Sequence, residues 1–282
     1  MIRLFCLSLV VCLASHVPGQ AQSKDPPKFF TNGIGMKFVW IPPGTLIMGS
    51  PKQEKGRNDV EAQHAVELTK GFYMGVCPVT QEQWRTVMVD HSVRPWEGFD
   101  LVTPSRFRAD FPREKNLPVE TVSWNDCQAF LKLLRGKDKQ SYRLPTESEW
   151  EYACRAGTTT PFHFGKTIST DQANYSGDAV YGEGKKGVNR KRTTPSGSFP
   201  PNAWGLYDMH GNVAQWCQDR FGNYPQQDVV NPQGGEKLGS RVLRGGSWED
   251  APARCRSACR AWDSPDNRGQ GTFGFRVCFF LN

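Results

Sequence analysis

Cys255 and Cys259 stand in a lone C-x-x-x-C, a spacing that on a turn can bring two sulfurs together as a disulfide or as a soft-metal pair. No second Cys or His pair follows at zinc-finger spacing, so no structural zinc site is expected. Cys77, Cys127, Cys154, Cys217 and Cys278 bring the cysteines beyond residue 21 to seven. Seven is odd, so at least one thiol stays unpaired within the chain. Only His64, His91, His163 and His210 lie beyond residue 21, and the chain holds no H-E-x-x-H, no G-x-S-x-G and no P-loop. Serine hydrolases and His-ligated zinc or iron enzymes therefore fall down the order. His163, between Phe162 and Phe164, reads as a packed or surface residue rather than a ligand.

These residues sit in a chain of 282 residues, 38% apolar, 22% charged and 12% aromatic, with mean hydropathy −0.57. That composition suits a soluble globular protein and excludes disordered, collagenous and membrane-spanning ones. The net charge of +7 is spread along the sequence, so nucleic acid is not an expected partner. Arg3, the apolar run Leu4–Ala14 and Gly19-Gln20-Ala21 form a secretory leader over residues 1–21, cut near Ala21 and too short to span a bilayer. Its removal takes one arginine and no acid, lowering the charge to +6. The mature protein is expected to be secreted or periplasmic, without membrane insertion. Its seven cysteines are then disulfide candidates.

The elements that position these groups are a few capped helices and short strands. Thr80-Gln81-Glu82-Gln83 and Thr146-Glu147-Ser148-Glu149 have the capping-box pattern, and Ser123-Trp124-Asn125-Asp126 is a variant of it. Behind the third cap, Cys127, Phe130, Leu131 and Leu134 form one apolar stripe at helical spacing. Strand-like runs are Lys37–Ile41, Thr45–Met48, Arg241–Arg244 and Phe273–Val277. With 28 glycines, 20 prolines and nine tryptophans, the remainder predicts long but packed connections. The fold class is α+β, loop-rich and stapled by disulfides. Residues 22–31 are an exposed N-terminal segment and residues 32–280 a single domain. Residues 179–198 read as a mobile basic surface loop. Its G-x-G-x-x-G at Gly182–Gly187 has no strand before it and no helix after it, so it binds no dinucleotide.

Five segments dense in Trp, Gly and paired polar groups follow one another: Leu117–Asp126, Tyr142–Ala153, Asn202–Val213, Leu243–Trp248 and Gly274–Val277. In this order they closely resemble the formylglycine-generating enzyme family, also called sulfatase-modifying factors, from about Asn32 to Val277. The resemblance implies one compact domain with little regular secondary structure, distantly like a C-type lectin fold, with bound calcium and internal disulfides. It also implies an activity, the oxidation of a cysteine within Cys-x-Pro-x-Arg of an unfolded sulfatase to formylglycine with oxygen and copper(I).

In catalytic members the Gly-Gly-Ser-aromatic segment runs on as x-Cys-x-x-x-x-Cys, two thiolates that hold copper(I). Here Gly245-Gly246-Ser247-Trp248 leads to Asp250 in the first thiol's place. Counting from Gly245 puts Cys255 in the second place. Counting back from Arg260 and Pro265 makes it instead the structural cysteine that members carry just downstream. A carboxylate is a hard ligand and does not replace a thiolate on copper(I). A pair formed by Cys255 and Cys259 is the alternative. Ser247 matches a serine lining the family's oxygen pocket, and read on its own it is a turn residue after two glycines.

By the same resemblance Cys154 pairs with a cysteine near Cys255; Cys127–Cys278 and Cys77–Cys217 are further candidate pairings that the resemblance does not supply. Asn174 and Tyr175 match one family calcium site. Asp208, Gly211, Val213 and Gln215 match the other, with Gln215 where a Glu is usual. Two functions follow as expectations: oxygen-dependent oxidation of a peptidyl cysteine, and a monomeric module without copper that binds a peptide, glycan or protein on the same scaffold. An Asp250–Cys255–Ser247 cluster lining a cleft favours the first, and Cys255 buried against Cys154 favours the second.

Overall fold

The computed structural model describes residues 26–88, 116–138, 140–235 and 239–281. The expected leader, with cleavage expected near Ala21, and His91 lie outside them. Among the described residues no helix is long and apolar enough to cross a membrane.

Each anticipated cap forms. Ahead of α1 (Gln81–Met88), the Gln83 amide donates to Thr80 Oγ1 and the Thr80 amide to Gln83 Oε1. Ahead of α2 (Trp124–Asp138), Ser123 and Asp126 exchange the same two bonds at 3.0 and 2.9 Å. Thr146 and Glu149 do so ahead of α3 (Glu147–Arg155). These reciprocal bonds satisfy amides that the first helical turn leaves without partners. The stripe of α2 is fully buried at Cys127, Phe130, Leu131 and Leu134, where it packs against Trp84 of α1 with Trp84 and Phe130 stacked at 5.3 Å.

Three small sheets carry the rest. The first joins β1 (Phe29–Thr31), β2 (Lys37–Ile41), β5 (Phe72–Gly75) and β11 (Cys278–Phe279) in the order β1-β2-β5-β11. It ties both ends of the domain together, and β1 lies at the end of the N-terminal segment. The second has the order β10-β6-β8-β9, from Phe273–Phe275, Ala214–Arg220, Arg241–Arg244 and Arg260–Asp263. The third joins β3 (Gly44–Met48), β4 (His64–Leu68) and β7 (Val229–Val230). The domain is α+β and loop-rich, as expected. Residues 179–198 form no regular element and lie largely at the surface, yet they are pinned: Tyr181 is buried, and Val188 N donates to Thr170 Oγ1 at 3.0 Å.

The expected disulfides are not formed, and all seven described cysteines are free. Cys127 and Cys278 lie in different apolar clusters. The sulfur of Cys154 packs against His210, Ser257 and the Met209 carbonyl, while Cys255 belongs to a separate cluster with Phe162 and Tyr175.

Charge rather than sulfur crosslinks the interior. Arg244 is 1% exposed; its Nη2 donates to Glu151 Oε2 at 2.5 Å and to the Ser257 carbonyl at 2.6 Å, and its Nη1 donates to Glu147 Oε1 at 3.0 Å. Arg260 grips Glu147 bidentately at 2.7 and 2.8 Å. Removing one partner of such a group strands a buried charge. Arg244→Met is therefore expected to lower the unfolding free energy by about 3–5 kcal/mol, measured by urea denaturation; a loss under about 1 kcal/mol would contradict this role.

Candidate functional site

The sequence-predicted residues converge on one turn. Gly245 and Gly246 have φ of +92° and +66°, left-handed values that glycine adopts without penalty. A Cβ on Gly246 would stand 2.8 Å from the Cys255 sulfur. The two glycines turn the backbone into Ser247, which is 1% exposed. Its amide and hydroxyl both donate to Asp250 Oδ2, at 2.9 and 2.8 Å. Asp250 thus closes its own turn, and its carbonyl accepts from the Ser176 amide at 2.9 Å. Trp248 N reaches the Asn212 carbonyl, and Asn212 N reaches the Asn174 carbonyl. The Asn174–Tyr175 and Gly211–Val213 segments are thereby stitched to the turn.

Beyond Asp250, the single 3-10 turn Pro252–Cys255 carries Cys255 inward. Burial, followed by the charges of Asp250 and Cys259, pushes its thiol well above the usual range. Cys255 faces Phe162, Tyr175 and Tyr181. Cys259 instead lines a cleft with Arg57, Glu61 and Arg254, to which Ser247, Asp250 and Cys255 contribute nothing. The two thiols face different compartments, and Asp250, the carboxylate beside Ser247, is bound to it. This donor set does not fit copper(I), which needs two converging thiolates. Cys255 is also not packed on Cys154.

The second calcium constellation does not fit either. Gln215 Oε1 accepts from Trp150 Nε1 at 2.9 Å and Arg276 Nε at 3.1 Å, and its amide nitrogen donates to the Asp208 carbonyl at 2.8 Å. The Gln215 side-chain oxygen is spoken for, and the buried Arg276 guanidinium beside it supplies the positive charge, held by the Gly75, Val76 and Tyr207 carbonyls. Burial pushes the Asp208 carboxyl up to about 6. Gly211 and Val213 serve packing: a Cβ on Gly211 would sit 2.2 Å from the Asn174 carbonyl oxygen, and Val213 is fully buried. The first constellation differs, because Asn174 Oδ1 is buried without a partner. An orphaned amide oxygen fits a hard cation by donor type.

A cluster that the sequence did not disclose lies behind the turn. His210, 2% exposed, donates from Nδ1 to the Cys255 carbonyl at 2.7 Å and accepts the His163 amide at Nε2 at 3.1 Å. The two imidazoles stack at 4.9 Å. The Cys154 sulfur lies 3.8 Å from Nε2. This resembles a nucleophile and its base, but burial pushes the thiol up to about 12 and His210 down to about 3, the latter reinforced by His163. Both groups stay neutral, so no thiolate forms. Only His210's place beside the Asn212 segment was a signal, because residues 154, 163, 210 and 257 are remote in sequence.

The family model of the sulfatase-modifying factor enzyme 1-like domain matches residues 24–279. The chain belongs to this family. This sulfatase-modifying-factor-like domain is 36% identical to the inactive C-alpha-formylglycine-generating enzyme 2 of Bos taurus, over 87% of its own length and 88% of that protein. It is 29% identical to the formylglycine-generating enzyme of Mus musculus, over 85% and 74%. The solved structure of PvdO from Pseudomonas aeruginosa superposes with a TM-score of 0.76 at 31% identity, over 92% of this protein and all of that one. The domain spans 40% of the length of the serine/threonine-protein kinase pkn1 of Chlamydia caviae, to which it is 30% identical.

His210 and His163, the latter pushed down to about 4 by burial, give the site a pH signature. Their folded pKa values lie below the unfolded value near 6.5, so the unfolded protein binds more protons and stability falls as pH drops below about 6.5. The expected loss between pH 7 and 5 is about 2 kcal/mol per histidine. In an NMR titration the His210 ring resonances should stay flat from pH 8 to 5; a midpoint near 6.5 would contradict the assignment.

Proposed function

We propose that the protein is a polypeptide-binding member of the family that does not use copper(I) to oxidise peptidyl cysteine. The observation that carries this reading is the Asp250 carboxylate, which occupies the first thiol's place and is bound by both donors of Ser247. A hard carboxylate already engaged, beside a buried protonated Cys255, leaves copper(I) without its soft pair. Ser247 is then a turn residue, its hydroxyl and its amide both spent on the one Asp250 carboxylate oxygen that closes the turn. The match to a relative named inactive, across most of both proteins, supports the same reading. Relatives named formylglycine-generating enzyme support a polypeptide as the partner class.

The polypeptide docks beside the 247–259 turn, on a monomer exported through the leader of residues 1–21. Calcium is held by Asn174 Oδ1 and the Tyr175 carbonyl, where it would clip the 174–194 loop to the Gly211 segment. Neutral oxygens alone place its affinity at the weak end, on the order of 10⁻³ M.

Two measurements check this. Folded protein is loaded with copper(I), freed of excess, and incubated aerobically with a Cys-x-Pro-x-Arg peptide. Substoichiometric copper and an unchanged peptide mass are expected; one copper per protein with conversion of the cysteine to the aldehyde would establish the oxidase instead. Separately, calcium at several millimolar should raise the Tm of the wild type and leave Asn174→Ala unmoved, and an equal rise in both would remove calcium from this site.

A further inference from the structure

The loop 56–61 and the turn 252–260 enclose an open cleft of about 210 Å³ that the reading above leaves without a role. Arg57, Asn58 and Glu61 line it from the loop, and Arg254, Cys259 and Arg260 from the turn. The inner charges are committed. Glu61 accepts from Arg256 through both oxygens at 2.8 and 2.9 Å, and also from Ser50 Oγ at 2.7 Å. Arg260 is bound to Glu147 and donates to the Val60 carbonyl at 2.9 Å.

The rim is different. Arg254 is exposed, and its guanidinium makes no hydrogen bond or ion pair among the described residues. Arg57 spends Nε on the Ser50 carbonyl and Nη1 on Asp59, a fully exposed carboxylate at 3.3 Å that water screens. Two guanidinium groups from separate elements therefore border one cleft, and no carboxylate on its walls is free to answer them. The Cys259 thiol in the same lining makes no hydrogen bond among the described residues, and burial keeps it protonated, so it adds no negative charge.

We propose that this cleft is a carboxylate-binding site in which Arg254 and Arg57 close on one carboxylate group of the polypeptide docked beside the 247–259 turn. Planar guanidinium forks match a carboxylate bidentately, and two of them from separate segments define where it sits. The volume lies below the range of drug-sized pockets and suits the carboxylate of a single Asp or Glu, or that of a polypeptide's last residue. The Glu61–Arg256 and Glu147–Arg260 pairs keep the walls in place while the rim arginines move to the ligand. The carboxylate chemistry rests on the cleft alone, and its polypeptide source rests on the function proposed above.

Cys259 reports occupancy. The rate of its alkylation by iodoacetamide, which is uncharged, is read by site-resolved mass spectrometry, with Cys77, also partly accessible, as internal control. The probes are an Asp-rich decapeptide, its Asn counterpart and succinate. At about ten times Kd the Asp peptide should slow Cys259 alkylation roughly tenfold and leave Cys77 unchanged. Arg254→Gln, a change at an exposed position, should keep the Tm and abolish the protection; Arg57→Gln, which also gives up the Ser50 carbonyl, should abolish it in protein that circular dichroism shows to be folded. Protection by neither carboxylate probe, equal protection by the Asn peptide, or protection that survives both substitutions would overturn the site. Protection by succinate with none by the Asp peptide would uphold the carboxylate site and overturn the polypeptide as its source.

Discussion

The buried guanidinium of Arg244 is the interaction on which the rest of the molecule leans. It lies in β8, holds Glu147 and Glu151 of α3, and takes the Ser257 carbonyl. One side chain thus joins a strand, a helix and the irregular segment that follows the 3-10 turn. Arg260 and Tyr224 converge on Glu147 from the other side. A fold with this little regular structure has few ladders to fix its connections, and their carbonyls must find donors elsewhere. Buried ion pairs add little net stability over apolar packing, yet they tolerate few alternative arrangements once formed. Arg256 and Arg276 do the same for the 54–61 loop and for the Gly75, Val76 and Tyr207 carbonyls.

That constraint determines what the 247–259 turn can do. Its downstream end is fixed by Arg244 and by His210, which holds the Cys255 carbonyl. Its upstream end is closed by Asp250 on Ser247. Between these anchors Cys255 points into an apolar cluster and Cys259 into a polar cleft, so the two thiols are held apart. Ser247 and Asp250 spend their polar groups on each other, while Arg57 and Arg254 keep unspent donors at the cleft that Cys259 lines. The proposed binding function rests on that distribution of charge and not on the shared fold.

What the sequence disclosed was local. The reciprocal caps at Thr80, Ser123 and Thr146 depend on residues three apart, and the Cys127–Leu134 stripe on one helical period, so both are legible without tertiary information. β2 and β8 match their sequence-predicted bounds for the same reason. β5 escaped notice because all four of its residues are buried and no alternation marks it. β6 escaped because Gln215 and Asp219 are polar yet buried, satisfied by Trp150, Arg276 and the Glu147 amide from far along the sequence. The family motifs marked Ser247, Asp250 and Cys255, which lie on one turn and the 3-10 segment that continues it. The disulfides were inferred from export and resemblance, whereas the structure places His210 against the Cys154 sulfur.

The central claim is that Asp250 is a structural acceptor for Ser247 rather than a vestige of a metal site. The unfolding free energy of Asp250→Cys in metal-free buffer tests it most directly. Loss of two hydrogen bonds to a charged acceptor predicts destabilisation of roughly 2–4 kcal/mol. A variant as stable as the wild type would show that the turn does not depend on the carboxylate and would contradict the account.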